Sequence, residues 1–143
     1  MAARIGAGAY VLWGALHLGV GVSMVVSALT DSSRATAGEL GAESTMFFVC
    51  AAVLGAQAIG VGVTLNRRND RAGYWINLLT LGVVDAAFVP ILVVPGHVDL
   101  IGGLSGPALW LVAAIATTTA RLHDQRGVLL RTPRRNPAVT RSR

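Results

Sequence analysis

WINLLTLGVVDAAFVPILVV, residues 75–94, decides how the chain folds. As a helix rising about 1.5 Å per residue, it is long enough to cross the roughly 30 Å hydrocarbon core of a bilayer. Its one charged residue is Asp85, near the centre, and Pro95-Gly96 ends it. Three more apolar runs of similar length occupy residues 5–29, 46–65 and 101–120, and none contains Lys, Arg, Asp or Glu. The reading is an all-α polytopic integral membrane protein. Residues 1–120 are expected to form an antiparallel bundle of four transmembrane helices, and residues 121–143 an Arg-rich tail without ordered structure.

Composition agrees. Across 143 residues, 53% are hydrophobic and 13% charged, with a mean hydropathy of +0.60. That is about half the charge of an ordinary soluble domain, too little to cover so much apolar surface in water. The length suits one unit. The first run is too long for the hydrophobic region of a secretory signal and carries His17 at its middle, so it reads as an uncleaved helix.

A net charge of +5 and a pI near 11.0 would suit a nucleic-acid binder, but the placement of the basic residues does not. All 12 are Arg, and they flank the apolar runs rather than forming a recognition surface. No nucleic-acid partner is expected. Arg without Lys, beside abundant Ala, Gly and Val, fits a GC-rich genome and the cell membrane of a bacterium.

The flanks also orient the chain. Residues 30–45 carry Asp31, Arg34, Glu39 and Glu43 and are acidic, whereas residues 66–73 carry Arg67, Arg68, Asp70 and Arg71 and are basic. The connection around His97 and Asp99 has no Arg, and the tail holds seven Arg against Asp124. Basic segments face the cytoplasm, which places both termini and the 66–73 turn inside. The short turns make the second and third, then the third and fourth, helices antiparallel neighbours. Ser44-Thr45 is the expected N-cap of the second helix, and Tyr74-Trp75 anchors the third at the interface.

Candidate chemistry lies in the polar residues within the runs. Asp85, His17 and Gln57 sit near the middles of the third, first and second, with Trp110 at the matching level of the fourth. A carboxylate at that depth costs about 2.5–3.5 kcal/mol on insertion scales, so it should face inward and find a partner. With no Arg or Lys in any run, Asp85 is expected either to carry its proton or to be ionised against a protonated His17. Neighbouring helices pack 8–10 Å apart, so a His17–Gln57–Asp85 triad across the bundle is expected, with Gln57 or a water bridging. Trp110, Trp13 and Phe88 complete the expected ligand lining.

Pro90 should free the carbonyl of Ala86 and bend the third helix beside Asp85. Gly14, Gly21, Gly60 and Gly82 accompany the polar residues at helical spacing and permit close approach. Cys50, the single cysteine, is expected to be a small buried hydrophobe; one thiol forms no internal disulfide. One intramembrane His excludes bis-His haem ligation, no zinc or phosphate-loop spacing occurs, and no cofactor or metal is expected.

The leading expectation is a bundle that binds, and performs acid/base chemistry on, a small lipophilic molecule entering from the membrane. His17 and Asp85 would be the catalytic pair, oriented by Gln57. The alternative is a non-catalytic accessory or scaffold subunit of a larger membrane complex; a proton-coupled carrier or channel ranks third. Expected partners are membrane lipids, a lipophilic ligand, and a second copy or a larger complex.

Overall fold

The computed structural model describes residues 1–30 and 38–131. Every regular element among them is helical: α1 (Ala2–Thr30), α2 (Gly38–Thr64), a 3₁₀ turn (Asn66–Arg68), α3 (Arg71–Phe88), a π turn (Val89–Val93) and α4 (Leu100–Arg131). Four helices are long and apolar enough to cross a membrane, over Ala2–Thr30, Gly41–Arg68, Arg71–Val93 and Leu100–Arg126. These segments contain or nearly contain the four apolar runs, and each extends beyond its run because helix continues through the flanking polar residues. Thus α4 passes Ala120, and the 121–131 part of the Arg-rich segment is helical. Asp31, Arg34 and the tail beyond Arg131 lie outside the described residues.

The exterior is apolar. Val83 is 68% exposed and Ile101 87%, with Leu12, Val53 and Ile115 also outward. Such a surface suits lipid and not water. Cys50 lies on this exposed face and is not buried. In a helix apolar on all sides, hydrophobicity no longer marks the inward face.

α1 is the hub, packing most extensively on α2 and then on α4. Its seam with α2 is built from glycine at seven-residue steps. A Cβ on Gly14 would lie 2.5 Å from the Gly55 carbonyl oxygen, one on Gly55 2.6 Å from that of Gly14, and one on Gly21 2.6 Å from that of Phe48. Backbones meet here because no side chain intervenes. Gly60, grouped with these by its nearness to Gln57, has nothing within 4 Å of its Cβ position.

The helix ends follow local chemistry. Asn69, with φ of 56°, turns the chain after α2, a conformation that Asn tolerates better than most residues. Asp70 then caps α3 by accepting from the backbone N–H groups of Ala72 at 2.8 Å and Gly73 at 3.2 Å. Asp99 does the same for α4 through Gly102 N–H at 2.7 Å. Ser44-Thr45 caps nothing: α2 already begins at Gly38, and the Thr45 hydroxyl donates back to Gly41 O at 2.8 Å. At Pro90 the expected disruption is a π turn, in which Val94 N–H reaches back to Val89 O at 2.9 Å.

Candidate functional site

Asp85 sits on the inward face of α3 and is only 4% exposed. The one hydrogen bond to its carboxyl among the described residues comes from α1, where Trp13 Nε1 donates to Oδ2 at 3.0 Å. Trp13 is fully buried and joins Tyr10, Ala58, Leu81 and Ala113 in the core. The indole satisfies the carboxyl while filling the centre of the bundle, a combination suited to a side chain with an apolar body and one donor.

His17 lies one turn further along α1 and stacks on Trp13, with ring centroids 3.6 Å apart and planes inclined by 15°. Its Nδ1 is 2.9 Å from the Trp13 carbonyl oxygen. A carbonyl only accepts, so Nδ1 carries the hydrogen, and in the neutral ring Nε2 presents a lone pair. That edge rests on α4: a Cβ on Gly106 would stand 2.8 Å from His17 Cε1, 3.2 Å from Nε2 and 3.5 Å from Trp13 Nε1. Pro107, the next residue, lies inside α4 and leaves the carbonyl of Gly103 without its helical donor. Asp85, Trp13, His17 and Gly106 thus form one compact cluster drawn from three helices.

The expected His17–Gln57–Asp85 triad is not assembled. His17 and Asp85 form no ion pair, because Trp13 bonds the carboxylate and stacks on the imidazole. Gln57 Nε2 instead donates to Thr80 Oγ1 at 3.1 Å, tying α2 to α3. Trp110 Nε1 donates to Leu78 O at 3.2 Å, its ring resting on Gly82, where a Cβ would lie 2.6 Å from Cζ2. Phe88 is half-buried on α3. The polar groups therefore occupy two levels. Asp85, Trp13 and His17 share one; Gln57 and Trp110 reach partners five to seven residues earlier on α3, about 7–10 Å away along the axis.

A third polar layer has no counterpart in the sequence reading. Asn77 is fully buried and donates through Nδ2 to Asn66 Oδ1 at 3.1 Å and to Ala58 O at 3.4 Å. Asn66 Nδ2 and Asn77 Oδ1 are buried with no partner among the described residues. Each such group costs about 1–3 kcal/mol. Ala58, Gly62 and Asn66 recur at four-residue steps, and that spacing was the available signal for this face of α2. Among the described residues no group of three or more His, Cys, Asp or Glu could hold a metal ion.

The chain matches no protein-family model, no curated protein and no solved structure.

Proposed function

We propose that this chain is a multi-pass membrane protein, with both termini and the 66–73 turn in the cytoplasm, that binds a small lipophilic molecule at His17. One observation carries the reading: Nε2 of His17 is a half-buried acceptor with no partner among the described residues, at the middle of an apolar helix. Its ring is held in place by stacking on Trp13 and by the Nδ1 hydrogen bond. A polar atom left unpaired in hydrocarbon is costly, and a ligand hydroxyl or N–H would remove that cost. Gly106 lies against the same edge, where a Cβ would stand 3.2 Å from Nε2, so the absence of a side chain there is what leaves the nitrogen uncrowded on the α4 side. Asp85, behind Trp13, is a positioning residue in this reading. Any proton taken from the ligand would go to Nε2, the one ring nitrogen not committed to the backbone.

The test is His17→Phe, which keeps an aromatic ring on Trp13 and removes the acceptor. Wild-type and variant protein are extracted from their membranes in mild detergent, and the co-purifying small molecules are compared by mass spectrometry. A hydroxyl- or N–H-bearing hydrophobe should be enriched with wild type and at least tenfold depleted with the variant, at unchanged helical content. Identical extracts would sink the proposal.

A second reading, a non-catalytic accessory subunit, draws on a different observation. The neighbourhood of Asp85 is filled by Trp13, and Trp110 fills the space over Gly82, as in a packing clamp. It expects the gently solubilised protein to run as part of a large hetero-complex and not as a monomer or homo-oligomer.

A further inference from the structure

A groove of about 740 Å³ runs between α1 and α2 at the end of the bundle that carries the 66–73 turn. Its floor is Ala7, Gly8, Val11, Gly62 and Val63, and its mouth is formed by Arg4, Arg67 and Arg68. The two features have separate causes. The floor is open because small residues line it: a Cβ on Gly8 would meet nothing within 4 Å. The mouth is cationic because Arg4, in the first turn of α1, comes alongside the turn that ends α2. Among the described residues no carboxylate lines the groove, and Asp70, the acid of that turn, caps α3 through Oδ1. The three exposed guanidinium groups form no ion pair among the described residues, and the positive end of the α1 dipole adds to their field.

From this arrangement we infer a specific site for one anionic phospholipid, its phosphate held by Arg4, Arg67 and Arg68 and an acyl chain lying along Gly8, Val11 and Val63. Guanidinium groups hold phosphate through paired N–H donors, which is the recognition the mouth offers. The apolar floor directly below is what separates a lipid from a free anion. The site lies at the end of the bundle, away from His17, and does not depend on the reading of that residue.

The experiment is native mass spectrometry of the full chain in a nonionic detergent, titrated with phosphatidylglycerol, phosphatidylcholine or inorganic phosphate. Two triple variants remove equal charge: Arg4, Arg67 and Arg68→Gln at the groove, and Arg71, Arg121 and Arg126→Gln, none of which lines it. A third variant, Gly8→Trp, keeps every charge and blocks the floor; circular dichroism checks that each retains its helical content. Wild type should retain one phosphatidylglycerol in preference to phosphatidylcholine. The groove triple should weaken it by about a hundredfold, about fivefold per arginine, and the control triple by less than fivefold. Gly8→Trp should abolish the bound lipid. Equal losses from the two triples would reduce the site to general attraction by a basic surface and overturn the inference. So would inorganic phosphate binding as well as the lipid, or Gly8→Trp leaving the lipid bound.

Discussion

Replacing Trp13 by Phe removes the single donor to Asp85 while keeping a ring for His17 to stack on. The hydrogen bond is 3.0 Å long, and the carboxyl that loses it stays 4% exposed with no other partner among the described residues. Interhelical side-chain bonds in bilayers average about 0.6 kcal/mol and reach about 1.7, and a buried carboxyl with one donor belongs at the upper end. Shrinking an indole to a phenyl in a fully buried position adds about 1 kcal/mol in lost burial and packing. Trp13→Phe should therefore destabilise the bundle by about 2–3 kcal/mol. Asp85→Leu removes the acceptor and strands the buried indole N–H, and should cost a similar amount. Asp85→Asn keeps an acceptor at the same place and should cost less than about 1 kcal/mol. The assay is reversible unfolding in mixed micelles, followed by circular dichroism, on the cycle of Trp13→Phe, Asp85→Leu and the double variant. A coupling of about 1–1.7 kcal/mol is expected. A coupling indistinguishable from zero, or an Asp85→Asn as damaging as Asp85→Leu, would refute the clamp.

The glycine seam makes a sharper comparison within α2. Gly55→Ala puts a Cβ about 2.6 Å from the Gly14 carbonyl oxygen, a backbone atom that cannot step aside; the helices must separate, at a cost of about 2–3 kcal/mol or more in the same assay. Gly60→Ala meets nothing within 4 Å and should be neutral or stabilising by up to about 1 kcal/mol. Equal effects from the two would contradict the seam. The proposed topology is checked in a Cys50→Ala background: a membrane-impermeant maleimide added outside intact cells should label His97→Cys and spare Ser142→Cys, and the reverse pattern would invert the orientation.

The helices were legible because crossing hydrocarbon demands length and apolarity, both properties of a window that do not depend on tertiary contacts. Their ends were less so: Arg121 and Arg126 punctuate hydropathy without ending a helix, and α4 runs to Arg131. Capping was misjudged for a related reason. Ser44-Thr45 has cap chemistry but lies within a continuous helix, whereas Asp70 follows the left-handed Asn69 that stops one. Among the candidate residues, Asp85 faces inward and takes a donor from Trp13, not from His17 or Gln57, because the partner depends on how each helix is rotated. A helix apolar on every side carries little rotational signal. Ranking side chains by polarity favoured His17 and Gln57 and set Trp13 aside as lining, although an indole brings a donor and enough bulk to reach across the bundle centre.

The same cluster leaves one question about its acid that stability and binding measurements answer between them. As a clamp, Asp85 only has to accept a hydrogen bond from Trp13, and a carboxamide would accept as well without the insertion cost of an ionisable group. Asp85→Asn therefore separates what the fold needs from what the carboxyl alone supplies. If the variant folds with wild-type stability and still carries the hydrophobe lost by His17→Phe, Asp85 is a packing residue and binding belongs to His17. If it folds normally but loses the hydrophobe, the acid acts on the ligand through the indole that joins it to the imidazole. That dependence should vanish in Trp13→Phe, because once the indole N–H is gone Asp85 and His17 have no common hydrogen-bonded neighbour.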